Sequence, residues 1–135
     1  MGYNKPMGDD GIAAETDAVV AANARFYEAH EANDLAVMEQ VWERSERVVC
    51  VHPGWPIVRG WHDVIETWRR IFGGPQRLQF ILTNIDVVIE GDVAVVTLDE
   101  NLVDDGRTAT IACSNVFIRV GGQWLMTVHH GSGVG

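Results

Sequence analysis

Cysteine is scarce in this chain. Cys50 and Cys113 are the only two among 135 residues, and no CxxC pair occurs. Two thiols cannot staple a small scaffold, so both are expected to be free and buried. Basic residues are also few: ten Lys and Arg stand against nineteen Asp and Glu, a formal charge of −9. A surface that negative repels a nucleic-acid backbone and an anionic membrane, so neither is an expected partner. Long apolar runs are missing too, each being cut by Asp, Glu, Thr or Asn well short of the ~20 residues that span a bilayer. The stretch Met1 to Glu15 has no basic-then-apolar signal pattern. With Gly2, Asn4, Pro6, Gly8, Asp9, Asp10 and Gly11 it reads as a flexible lead. The expectation is a soluble, cytoplasmic protein.

What the chain does have is enough apolar residues, 47%, to bury a core. Their spacing changes once, near Phe72. Before it the period is helical; after it the period is that of strands. Val19, Ala22, Phe26 and Ala29 form one stripe of a helix expected from Thr16, its N-cap, to about Asn33. Leu35, Met38, Val41 and Trp42 form a second, capped by Asp34. Residues 47–52 (RVVCVH) read as a strand, stopped by Pro53-Gly54-Trp55-Pro56. Ile57 to Arg59 is a short return, and Trp61 to Phe72 a third helix. Four long strands follow, from Leu78, Val93, Arg107 and Gln123, joined by Gly91-Asp92, Asp104-Asp105-Gly106 and Gly121-Gly122. The expected class is α+β, a cone of three N-terminal helices packed in a strongly curved antiparallel sheet. One domain covers residues 16–132, with 133–135 as a tail.

Strand alternation assigns faces. Ala94, Val96, Leu98, Glu100 and Leu102 share one. Ile111, Cys113, Asn115 and Phe117 share another. Trp124, Met126, Val128 and His130 form a third set, and Val48, Cys50 and His52 a fourth. Each is apolar with one polar intruder. With all four facing the helices, His52, Glu100, Asn115 and His130 meet in one interior, and buried polar groups need partners or a ligand. The opposite faces (Val93, Val95, Val116, Ile118, Val120, Leu125) are also partly apolar. They point to a homodimer packed sheet to sheet.

The stretch VCVHPGWPIVRGWHDVIETWRRIF and the closing GGQWLMTVHHGS carry a resemblance, over roughly Thr16 to Ser132, to the SnoaL-like branch of the nuclear transport factor 2-like superfamily. That group includes ketosteroid isomerase, polyketide cyclases, limonene epoxide hydrolase and the association domain of calcium/calmodulin-dependent kinase II. The resemblance implies that His52 stands where ketosteroid isomerase has its proton-shuttling aspartate. It implies that Asn115 stands at the protonated aspartic acid of the oxyanion hole. Phe26 falls at the tyrosine donor, and neighbouring Tyr27 is the only substitute.

The chemistry-bearing candidates are therefore His52, Asn115, His130 and Glu100, with Trp55, Tyr27, Phe26 and Trp61 as ligand contacts. Histidine at a strand end can act as base or acid near neutral pH. A carboxyl in an apolar pocket holds its proton more tightly. Each candidate also has a bland reading, as a satisfied core polar group. No HxH or HExxH spacing supports a metal, and no cofactor is expected. Two functions remain open. One is a cofactor-independent isomerase, cyclase or hydratase acting by proton transfer on a small apolar or planar ligand. The other is a non-catalytic ligand-binding or homo-oligomeric association domain.

Overall fold

A computed structural model describes residues 9–75 and 77–135. Helix α1 runs Asp9–Glu31, α2 Leu35–Val41 and α3 Trp61–Phe72. Strands β1 (Val49–Val51) and β2 (Val58–Arg59) are short. Strands β3 (Gln79–Glu90), β4 (Val93–Asp104), β5 (Arg107–Val120) and β6 (Gln123–Gly133) are long. They form one sheet in the order β2-β1-β6-β5-β4-β3. Every pairing is antiparallel except β1 with β6. The fold is the expected α+β arrangement of three helices on a largely antiparallel sheet.

Local signals explain most boundaries. The Asp34 carboxylate accepts the Val37 N–H at 3.1 Å and caps α2. Residues His52 to Trp55 close a turn through Trp55 N–H to His52 C=O at 2.8 Å. Pro53 occupies its second position and Gly54, at φ +81°, its third, as a type II turn requires. One boundary differs. Helix α1 begins at Asp9, so Thr16 lies inside it and caps nothing, and the last seven residues of the expected lead are helical. The first eight residues of that lead lie outside the described residues. Ala13, Ala14 and Glu15 are strong helix formers that carry the helix past Gly11. The Glu15 carboxylate also pairs with the Arg119 guanidinium on β5, which ties these turns to the sheet.

The helices cover one face of the sheet. Val19, Phe26, Met38, Trp42, Val64 and Trp68 pack against Val96, Phe117 and Met126, all buried. The alternation expected for β4 and β5 holds from Ala94 to Glu100 and from Ile111 to Phe117. On β6 it breaks. Val116 pairs with Val128, but Phe117 pairs with Met126, leaving Thr127 as an extra residue. A bulge of one residue reverses the side-chain phase beyond it. Trp124 and Met126 point inward as expected, but so do Thr127 and His129, while Val128 and His130 turn outward. The expectation that His130 faces the interior is thereby corrected: His129 takes that place.

The outer face carries a row of valines, Val88, Val95, Val116 and Val128, each the register partner of the next across β3, β4, β5 and β6. None of the four is buried.

The return of β6 past β1 is a close fit at Gly131. A Cβ there would stand 2.9 Å from Ile111 Cγ2 and 3.3 Å from Pro53 Cγ. Gly131→Ala should therefore destabilise the fold by about 1–3 kcal/mol through overpacking. Chemical denaturation checks this. An unchanged midpoint would show that Pro53 and Ile111 yield freely.

Candidate functional site

A cavity of about 290 Å³ opens between the helices and the sheet. Its polar wall is His30 from α1, His52 after β1, Glu100 from β4 and His129 from β6. Trp55, Trp68, Ile71, Phe80 and Leu102 are among the apolar remainder. A wider, open hollow of about 440 Å³ on the outer face is lined by Asn84, Asp99, Ser114 and His130, among others. It contains none of the polar groups of the inner wall.

Asn115 organises the interior. It is fully buried on β5 opposite His129. Its amide N–H groups donate to Asn23 Oδ1 at 2.9 Å and to Tyr27 Oη at 3.1 Å. Its carbonyl accepts from His129 Nδ1 at 2.6 Å and from the Cys113 thiol at 3.3 Å. Tyr27 in turn donates to Glu100 Oε2 at 2.5 Å. A directed chain thus runs His129 to Asn115 to Tyr27 to Glu100, and both ends belong to the cavity wall. Because His129 donates through Nδ1, its Nε2 carries the lone pair.

His52 is oriented separately. The Thr67 hydroxyl on α3 spends its proton on Val64 C=O at 2.6 Å. It must therefore accept from His52 Nε2 at 2.8 Å, which leaves Nδ1 as the basic nitrogen. The His52 ring packs against Trp55 and Trp68 at centroid distances of 4.9 and 4.6 Å.

Burial sets the proton affinities. It pulls His52 down to about 4. His30 falls to about 4 by burial and by the neighbouring His52. His129 lies well below the ordinary range, from burial and then from the other imidazoles. Burial pushes the Glu100 carboxyl up, against the pull of Tyr27 and Cys113. Burial and Glu100 push the Tyr27 hydroxyl up. Burial likewise raises both free thiols. Burial thus shifts acid and base in opposite directions within one chamber, the carboxyl up and the imidazoles down.

Of the eight candidates from the sequence, His52, Trp55 and Glu100 line the cavity, and Asn115 and Tyr27 stand behind it as hydrogen-bond partners of wall residues. Three do not belong. His130 is exposed on the outer face because of the bulge. Phe26 is wholly buried packing, edge-on to Tyr27 at 4.9 Å and Trp68 at 5.5 Å. Trp61 lies under the Arg44 guanidinium at 4.4 Å and donates to Glu39 C=O, away from the cavity. His30 was missed by sequence reasoning. Its spacing from Phe26, four residues back on the same helix, was the available signal. Glu100, Cys113 and His129 also bring one donor atom each within 4.8 Å of one another. That is a zinc-type ligand set, but Tyr27 and Asn115 already satisfy all three.

These imidazoles make folding pH-dependent. An unfolded imidazole titrates near 6.5, so below that pH the unfolded chain binds protons that the folded chain refuses. Stability is complete above pH 6.5 and falls as pH drops toward 4, by about 1.4 kcal/mol per pH unit for each imidazole. Glu100 acts oppositely, since the folded chain keeps a proton the unfolded chain has lost. Three imidazoles outweigh one carboxyl. Urea midpoints should therefore fall between pH ~7.5 and ~5, and His52→Gln should flatten the slope by one imidazole's share. A pH-independent midpoint would refute the neutral-imidazole chamber.

Comparison with known proteins agrees with this architecture. The SnoaL-like domain family profile matches residues 19–135. A candidate dehydratase of the nuclear transport factor 2-like family from Streptomyces avermitilis is 32% identical, with a TM-score of 0.85 over 91% of this chain and 98% of that one. A candidate calcium/calmodulin-dependent protein kinase type II association domain from Thiobacillus denitrificans is also 32% identical. Its TM-score is 0.76, over 86% of this chain and 94% of that one. F-box protein SKIP8 of Arabidopsis thaliana is 31% identical over 119 residues, 88% of this chain. The chain spans about half, 51%, of that relative's length. Among the described residues no helix is long and apolar enough to cross a membrane. By sequence and by fold, the chain belongs to the SnoaL-like family of nuclear transport factor 2-like proteins.

Proposed function

We propose that the cavity is a small-molecule site and that the chain acts there by cofactor-independent proton transfer, dehydration being the favoured reaction class. The observation that carries this reading is the meeting of a buried carboxyl whose proton affinity is raised, Glu100, with an oriented imidazole whose proton affinity is lowered, His52, on one largely apolar wall. General acid–base chemistry needs such a pair. On a β-hydroxy carbonyl compound, His52 Nδ1 takes the α-proton and the electron pair moves toward the carbonyl. The pair then returns to form the Cα–Cβ double bond as the Cβ–O bond breaks, and the hydroxyl leaves as water with a proton from Glu100. Tyr27 and Asn115 hold Glu100 in place, and His129 is a second neutral group on the wall. Trp55 forms the ligand's apolar contact at the turn beside His52. The candidate dehydratase from Streptomyces avermitilis, at 32% identity, supports dehydration over cyclisation or isomerisation. Both cysteines are free and buried, in keeping with the cytoplasmic setting we propose.

The test is a screen of cyclic β-hydroxy ketones for appearance of conjugated-enone absorbance. His52→Gln should lower kcat by about 10²–10⁴-fold with much less effect on ligand-induced thermal stabilisation. Turnover unaffected by His52→Gln would remove His52 from the chemistry.

A second reading, homo-association, is favoured by the valine row across β3 to β6, in which Val88 is exposed and Val95, Val116 and Val128 are half-buried. Contiguous apolar sheet surface marks an interface, and one relative is a candidate association domain. We propose a homodimer through this face. Val116→Lys should convert it to monomers in sedimentation velocity, and an unchanged sedimentation coefficient would place the interface elsewhere.

A further inference from the structure

The valine row has a neighbouring row on each side of it on the outer face, and the two differ in chemistry. On one side the register partners run Glu90, Val93, Ile118 and Leu125. On the other they run Asp86, Thr97, Ser114 and His130, all four exposed. This second row lines the outer hollow of about 440 Å³. It ends in a carboxylate on β3 and an imidazole on β6.

Two irregularities put those groups there. Between Thr83 and Asp86 strand β3 gains one residue on β4, and at Thr127 strand β6 gains one on β5. Each extra residue reverses side-chain phase. Unbroken alternation from the inward Leu82 and Met126 would aim both Asp86 and His130 at the core. Instead both face outward at the two ends of a single row. Three strand spacings of about 4.8 Å hold them about 14 Å apart, so they cannot meet within one molecule. Among the described residues neither side chain has a hydrogen-bond or ion-pair partner.

A second copy on this face answers both groups in one of two aligned orientations. Face-to-face copies are related by a two-fold axis lying between the sheets. Aligned packing lets the valine rows meet along their length, and two axes achieve it. An axis along the rows sets the polar row of one copy over the Glu90 row of the other. Asp86 then lies over Glu90, Thr97 over Val93 and Ser114 over Ile118, which opposes like charges and covers hydroxyls with hydrocarbon. An axis along the strands, between β4 and β5, exchanges β3 with β6 and β4 with β5, so every row meets itself. Val88 then lies over Val128, Val95 over Val116 and Thr97 over Ser114. Asp86 lies over His130, twice by symmetry. The two outer hollows face each other as one polar chamber between the copies.

We infer that a second copy of the chain docks here about a two-fold axis along the strands, and that Asp86 of each copy pairs with His130 of the other. This rests on the homo-association reading and deepens it. The valines supply apolar area, and the Asp86–His130 pairs select the orientation, as charged groups at interfaces do. An imidazole N–H donates to a carboxylate whether or not the ring is charged.

The test is sedimentation equilibrium of the full chain and of two charge reversals, Asp86→Lys and His130→Glu, each alone and then mixed in equal amounts. Both positions are exposed, and circular dichroism confirms that the variants fold. Each variant alone should dimerise about tenfold more weakly, because both symmetric pairs are lost. The mixture should recover an affinity close to that of the wild type. In the mixed dimer the introduced lysine meets the introduced glutamate, while the remaining Asp86 and His130 meet at the other contact. Tighter association of Asp86→Lys alone, its lysine meeting Glu90, would establish the axis along the rows and overturn the pairing. A mixture no tighter than either variant alone overturns it as well. Both of these results leave homo-association standing. A wild-type chain that is monomeric overturns homo-association and this inference together.

Discussion

A primary amide buried without access to water must place two N–H groups and a carbonyl against protein partners. Asn115 meets that requirement with Asn23, Tyr27, His129 and Cys113. Because the two ends of an amide differ, the network acquires a direction. The carbonyl end makes His129 a donor and so fixes its tautomer. The amino end makes Tyr27 an acceptor, so the tyrosine's own proton goes to Glu100. Four elements, α1, β4, β5 and β6, are bound together by one carboxamide. The orientation of every polar group on that side of the cavity follows from it.

The same dryness that demands these partners also sets the protonation states. A charged imidazole or carboxylate loses hydration on burial, and little in this chamber replaces it. Glu100 is therefore raised and His52 lowered to about 4, both by burial. In water, with an unperturbed carboxyl near 4.3 and imidazole near 6.5, the proton would sit on the imidazole and the pair would be ionic. Here burial opposes that ionic pair, raising the proton affinity of the carboxyl and lowering that of the imidazole.

Period and punctuation revealed most of the fold. Asp34 announced α2, the Pro53-Gly54 pair announced the turn that brings Trp55 to His52, and alternation on β4 and β5 aimed Glu100 and Asn115 inward. Three features escaped for identifiable reasons. Alternation assumes unbroken pleating, and the extra residue at Thr127 exchanges the roles of His129 and His130. Nothing in the local composition around Thr127 announces a bulge, since Thr and Val are ordinary strand residues. His30 was hidden by a stripe defined only by apolar residues, although a cavity-facing position on a helix favours polar groups at the same spacing. The first turns of α1 were obscured by Gly11. Local helix formers carry these turns past Gly11, and a tertiary contact that no local propensity records, the pairing of Glu15 with Arg119, ties them to the sheet.

The valine row and the polar chain look like separate features, one for association and one for chemistry, but they are made by the same register. Val116 follows Asn115 on β5, and Val128 precedes His129 on β6. Successive strand residues point to opposite faces, so the pairing that sets Val116 against Val128 outside also sets Asn115 against His129 inside. A slip of one residue between β5 and β6 would break the apolar row and the hydrogen-bond chain together. A second molecule packed on the outer face would therefore restrict the motion of the two strands whose inner residues orient the polar wall. The proposed homodimer would therefore hold the cavity's geometry more firmly than the isolated chain, through the register that β5 and β6 share.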